Sequence, residues 1–142
     1  MKILLTGSEG LIGKLIYEGL RKQYEIVGLD KKTGVDILSS DLERYFLGAD
    51  ALIHLAANPS TQIDEQEAAK NVEIARRVID ACDKTNSLKT IINASSINVY
   101  DIMNLFNNGQ KITSDTRLNP NICEWSKGYY GKAKIEDGKS VV

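Results

Sequence analysis

Glycines at positions 7, 10 and 13 separate a short apolar run from a helical pattern, and few backbones accommodate that order. Lys2 to Thr6 carries Ile3, Leu4 and Leu5 in succession, the mark of a strand buried on both faces. Beyond the turn, Leu11, Ile12, Leu15, Ile16, Gly19 and Leu20 recur at helical spacing, so a helix runs to about Gln23. The three glycines act differently. Gly7 permits the sharp turn, Gly10 lets the backbone approach a ligand, and Gly13 lets the helix lie against the strand. The helix start offers free N–H groups and the positive end of a dipole. A dinucleotide pyrophosphate suits that cradle, touched by Gly7, Ser8, Glu9, Gly10, Leu11, Ile12 and Gly13.

The alternation continues along the chain. Glu25 to Leu29 reads as a second strand closed by Asp30, and Ser40-Asp41-Leu42-Glu43 as a capping box opening a short helix to about Phe46. Ala51 to Ala56 is a third strand. A long helix is expected over 64–84, with Ala68, Val72, Ala75, Ile79 and Cys82 forming its apolar stripe. Lys89 to Ala94 is a fourth strand leading into Ser95 and Ser96. Residues 101–125 are polar and read as a surface excursion, and a last helix is expected over 126–137. Strands alternating with helices imply right-handed crossovers and a parallel sheet covered on both faces. The expected fold is therefore α/β, a Rossmann-like doubly wound parallel sheet with its ligand crevice at the carboxyl ends of the strands.

Candidate chemistry clusters at those ends. Asp30 is placed to accept hydrogen bonds from both hydroxyls of an adenosine ribose and to repel a 2′-phosphate, which favours NAD over NADP. Lys31 and Lys32 follow directly and soften that preference. Tyr130 and Lys134 are four apart and share one helix face. A phenol is a poor base at neutral pH, but an ammonium about 4 Å away stabilises a phenolate by roughly 4 kcal/mol at an effective dielectric of about 20. Lys134 can also hold the nicotinamide ribose, and the Ser96 hydroxyl can orient and polarise the reacting carbon–oxygen bond.

Composition excludes other classes. A length of 142 residues suits one domain, and no apolar run reaches the ~20 residues needed to span a bilayer, so no membrane partner is expected. A net charge of −1 gives no electrostatic reason to expect nucleic acid. Cys82 and Cys123 lack metal-type spacing, so no metal is expected and both read as free thiols of a cytoplasmic protein.

With these pieces assembled, the chain resembles the extended short-chain dehydrogenases, in particular the NAD-dependent epimerase/dehydratase family acting on sugars and nucleotide sugars. The matching segments are Thr6 to Gly13, Asp30, Asp36-Ile37, His54-Leu55-Ala56-Ala57 and Asn71-Val72, then Ser95 to Tyr100, Leu118-Asn119-Pro120 and Tyr130 to Lys134. The resemblance implies that Ser96, Tyr130 and Lys134 are catalytic and that Asp36 and Ile37 touch the adenine. It further implies that Leu55, Ala56, Ala57 and Asn71 line the cofactor, along with Tyr130 and Lys134. The short early half and the Tyr129-Tyr130 pair look most like the uronate and simple-sugar dehydrogenase branch. Taken as residues, His54 reads as a strand-end histidine, Asn71 as a structural hydrogen-bonder, and Trp125 and Tyr129 as packing residues. Asp64 to Glu67 reads as a solvated helix start.

Some features depart from that family pattern. Five residues separate Asp30 from Asp36, too few for a crossover helix, so the third strand of the first half is expected to be vestigial. Tyr130 lies ten positions after Pro120, a longer catalytic loop than the family's, and Gly138 stands where relatives carry an acid. Val142 follows Lys134 by eight residues, so the expected sheet lacks the C-terminal strands and the substrate lobe. An open sheet edge recruits partners, and relatives dimerise through the two long helices, so a homodimer through 64–84 and 126–137 is expected. Three functions stay open on this reading: a sugar or nucleotide-sugar oxidoreductase, epimerase or dehydratase; a non-catalytic NAD-binding module; and a degenerate or truncated relative whose cofactor cleft is not filled.

Overall fold

A computed structural model describes residues 1–118 and 128–139 of the chain. Strand β1 (Lys2–Thr6) is buried on both faces, as its unbroken apolar run demands. It lies between β2 (Glu25–Leu29) and β3 (Ala51–His54), and β3 in turn pairs with β4 (Thr90–Asn93). All three pairings are parallel, in the order β2-β1-β3-β4.

The described residues sort into two units: Met1–Ala57 with Glu73–Ala94, and Asn58–Val72 with the described residues from Ser95 onward. The first unit holds the sheet. On one sheet face, helix α1 (Leu11–Leu20) brings Ile16, Tyr17 and Leu20 over Ile3, Leu5 and Ile53. On the other, α2 (Glu43–Phe46) and the second half of α3 (Glu65–Asp83) cover Leu4, Leu29 and Leu52 with Phe46, Val78, Ala81 and Cys82. Helices on opposite faces make the sheet doubly wound, and the winding reverses between β1 and β3. The expected α/β Rossmann-like class is borne out.

Local differences have physical causes. The segment between β2 and β3 forms no strand; Lys31–Thr33 is a single 3-10 turn, and Val35 and Ile37 drop into the core instead. The capping box at Ser40 does not form: α2 is preceded by Leu42 with no side-chain cap, and the Glu43 amide donates to Asp41. On α3 the buried line runs through Ala68, Asn71, Ala75, Val78 and Cys82, so the stripe is rotated toward Val78 while Val72 and Ile79 stay half-buried. Within the polar stretch after Tyr100, α4 (Ile102–Asn107) forms, started by the Asp101 carboxylate accepting the Asn104 amide.

Leu11 on α1 is 83% exposed and Ile92 on β4 55%, so apolar side chains remain uncovered on these two elements. The second unit has its own small core, where Ile63, Ala68 and Val72 meet Tyr129, Tyr130 and Ala133 of α5 (Tyr129–Lys139). Asn119, Pro120, Cys123, Trp125, the expected helix start at Ser126 and the chain end at Val142 lie outside the described residues.

Two outcomes follow. Phe46 is fully buried on a four-residue helix with little propensity of its own, so Phe46→Ala should cost about 3–5 kcal/mol in urea unfolding. Burial pushes the Cys82 thiol from an ordinary 9.0 to about 11, with Asp83 adding to it. The folded state therefore prefers the neutral thiol, and that stabilisation is lost as pH rises through the window 9 to 11. Unfolding free energy should fall over that window in the wild-type chain, and less in Cys82→Ala.

Candidate cofactor and catalytic site

The carboxyl ends of β1 and β3 meet around one side chain. The Thr6 hydroxyl oxygen accepts the Leu55 and Ala56 amides, each at 3.1 Å, and lies 2.6 Å from His54 Nδ1. Its two lone pairs are committed to the amides, so its single proton goes to Nδ1, which must be the unprotonated ring nitrogen. His54 thus serves as a strand-end acceptor that locks Thr6, in keeping with its residue-level reading.

This clamp sets the glycine turn beside Leu55 and Ala56. Gly7 has φ +70, and a Cβ there would come within 3.1 Å of the Ala56 nitrogen. A Cβ at Gly13 would sit 2.1 Å from the Gly7 carbonyl oxygen, a distance no side chain can occupy. The turn closes with the Gly7 amide donating to the Leu29 carbonyl at 2.9 Å. Helix α1 starts at Gly10 with no side-chain cap and no acid in its first turn, so no side chain competes with an anion there. Ser8 is buried, and Leu11 and Ile12 are exposed along the first turn. Glu9 pairs with Lys14 at 3.2 Å.

Asp30 is tied to the same turn. One carboxylate oxygen accepts the Glu9 amide at 3.0 Å and the other accepts the Lys32 amide at 2.9 Å. Each oxygen keeps a lone pair for a further donor, so the carboxylate is fixed without being consumed. Asp36 accepts the Leu38 amide at 3.0 Å and pairs with Lys31 at 3.4 Å, while the Ile37 side chain is core. Gly28 was not singled out from the sequence; a Cβ there would meet the Ser8 hydroxyl oxygen at 2.6 Å. Its signal was the one glycine in an otherwise largely apolar strand.

The second unit holds the remaining candidates. Asn71 is buried, and its amide group closes the loop after Ala57: Oδ1 accepts the Asn58 amide at 2.7 Å, and Nδ2 donates to the Asn58 carbonyl at 3.1 Å. Ser96 caps a 3-10 turn at Ile97–Val99, its hydroxyl accepting the Asn98 amide at 3.2 Å. Tyr130 is buried in the core of that unit. Lys134, one turn on, donates to Asp137 Oδ2 at 2.9 Å, with side chains only 4% and 1% exposed. Burial holds the Asp137 carboxyl above its ordinary value, against the downward pull of the Lys134 ammonium. Asp137 also escaped the sequence reading, which looked for an acid at Gly138; its signal is a third polar residue at helical spacing after Tyr130 and Lys134.

Comparison with known proteins bears on these clusters. The sequence profile of the NAD dependent epimerase/dehydratase family matches residues 3–135. A Bacillus subtilis (strain 168) protein named as an uncharacterized UDP-glucose epimerase is 27% identical over 84% of this chain and 46% of its own length. The crystal structure of UDP-glucuronic acid 4-epimerase from Bacillus cereus, in complex with UDP-glucuronic acid and NAD, is 26% identical. It superposes with a TM-score of 0.78 over 99% of this chain and 51% of its own. A dTDP-4-dehydrorhamnose reductase structure from Clostridium acetobutylicum gives 25% identity and a TM-score of 0.78, over 99% and 49%. The chain thus spans about half the length of these relatives.

Thr6 is the residue to test. Thr6→Val keeps the shape but removes the hydroxyl from two part-buried amides and from His54 Nδ1, which should cost about 2–4 kcal/mol. Thr6→Ser keeps the hydroxyl and should cost less than half as much in the same urea titration.

Proposed function

The chain belongs to the NAD dependent epimerase/dehydratase family, and from that premise we propose that residues 1–142 are a cofactor-binding domain that holds NAD and acts on a nucleotide sugar. The observation that carries this is the pairing of an uncapped α1 start, wrapped by Gly7 and Gly13, with a carboxylate fixed to the same turn through the Glu9 amide. A pyrophosphate meets N–H groups there without a competing side chain, and Asp30 has lone pairs for ribose hydroxyls. The fixed negative charge of Asp30 disfavours a 2′-phosphate, and Lys31, paired with Asp36, is less able to offset it. The cradle fits the group the family uses.

NAD supplies the hydride acceptor when bound. The chain's own residues do the rest. Tyr130 takes the proton from a sugar hydroxyl, Ser96 orients the oxygen that loses it, and Lys134 supplies the positive charge that favours a phenolate. Asp36, Leu55, Ala56 and Ala57 are assigned to the cofactor on the family pattern; Ile37, which the pattern also places there, packs its side chain in the core, and Asn71 closes the loop after Ala57. The Bacillus cereus relative carries both NAD and UDP-glucuronic acid, which makes a UDP-linked sugar the first substrate class to try. A homodimer through 64–84 and 126–137 and a cytoplasmic location complete the reading; no described helix is long and apolar enough to cross a membrane.

Calorimetric titration should show NAD binding more tightly than NADP. Asp30→Asn should weaken NAD by roughly ten- to a hundredfold and narrow that discrimination, since a hydrogen bond to a charged group contributes about 1.5–3 kcal/mol. Absorbance of NADH during incubation with UDP-sugars should rise, and Tyr130→Phe should abolish the rise while NAD still binds. NAD affinity with no turnover on any sugar, and indifference to Tyr130→Phe, would favour a binding module instead.

A further inference from the structure

Tyr130, Lys134 and Asp137 stand at i, i+4 and i+7, which places all three on one face of α5. That face is buried: Tyr130, Lys134 and Asp137 are each nearly inaccessible. A lysine normally snorkels its ammonium to water, but Lys134 does not; its head ends 2.9 Å from the Asp137 carboxylate instead. A buried ion pair adds little stability over well-packed apolar side chains, so packing alone gives no reason for this one. Asp137 Oδ1 has no hydrogen-bond partner among the described residues, so Lys134 is the polar contact that this carboxylate makes there.

Building on the proposed role of Tyr130 as the proton acceptor, we propose that Asp137 is the positioning residue of the site. Its carboxylate accepts the Lys134 hydrogen bond and holds that side chain's head on the face of α5 that carries Tyr130. The arrangement follows the logic of a base oriented by a third group. Asp137 is 1% exposed and acts through Lys134. The residue lies three positions after the lysine, which puts it within one turn of the ammonium, whereas Gly138 next to it offers no side chain.

The ammonium signal of Lys134, followed by nitrogen-15 NMR and assigned by its loss in Lys134→Arg, reads the contact without substrate or cofactor. The signal should be sharp in the wild-type chain, be lost in Asp137→Asn and return in Asp137→Glu. A signal that persists unchanged in folded Asp137→Asn overturns the proposal. Should Asp137→Asn fail to fold by circular dichroism, acid titration of the wild-type chain decides: the Lys134 signal must broaden as the Asp137 carboxyl carbon shifts on protonation. A Lys134 signal indifferent to that step also overturns it.

Turnover gives a second readout. Asp137→Asn should lower kcat about tenfold, a small part of the roughly 10²–10⁴ a positioned acid–base group supplies, with Asp137→Glu recovering much of it. Equal kcat in folded Asp137→Asn counts against the proposal. Absence of turnover in the wild-type chain counts against the function alone, and the NMR outcomes then decide on Asp137.

Discussion

The hydroxyl of Thr6 is the joint on which the carboxyl edge of the sheet depends. It lies at the carboxyl end of β1, where the winding of the sheet reverses, and ties that end to β3 through two amides and a histidine. Without it, β1 and β3 would still pair along their length, but the residues after His54 would lose their anchor. The Gly7 turn packs within van der Waals reach of that anchored backbone, so the glycine turn inherits its shape from a fully buried threonine. Thr6 has no apolar substitute here, because valine has the shape without the proton.

The cradle itself is built almost wholly from backbone. Gly7 and Gly13 matter for the side chains they lack, and Gly10 leaves the start of α1 uncapped. Asp30 is the exception, and two backbone amides hold its carboxylate in place. The amides that position the carboxylate are already bonded, so Asp30 offers a fixed acceptor rather than a mobile one. The consequence is lost sequence freedom, since neither Gly13 nor Gly28 has room for a methyl group.

The electrostatics of α5 follow a different plan. There the polar groups are side chains, buried and mutually dependent, and the lysine that the family pattern marks as catalytic donates its hydrogen bond to Asp137. A lone buried charge of either sign is expensive; together the two are tolerable. A tyrosine and a lysine four apart are therefore an incomplete description of such a helix.

Much of this was legible in the chain. The unbroken apolar run of β1, the glycine spacing and the alternation of strands with helices depend on local periodicity and on steric limits of single residues, so they survive without knowledge of distant contacts. Asp30, Ser96, Tyr130 and Lys134 stand out as candidates because their chemistry and their place at strand ends or on a helix coincide. Other features could not be read that way. The failed capping box at Ser40, the rotation of the α3 stripe toward Val78 and the burial of Ile37 depend on which surfaces meet across the core. The Thr6–His54 contact spans 48 positions, and the Lys134–Asp137 pair matters only because both side chains are buried. Periodicity determines which face of an element is apolar; only the assembled tertiary structure decides which polar atoms lose water, and therefore which of them must find each other.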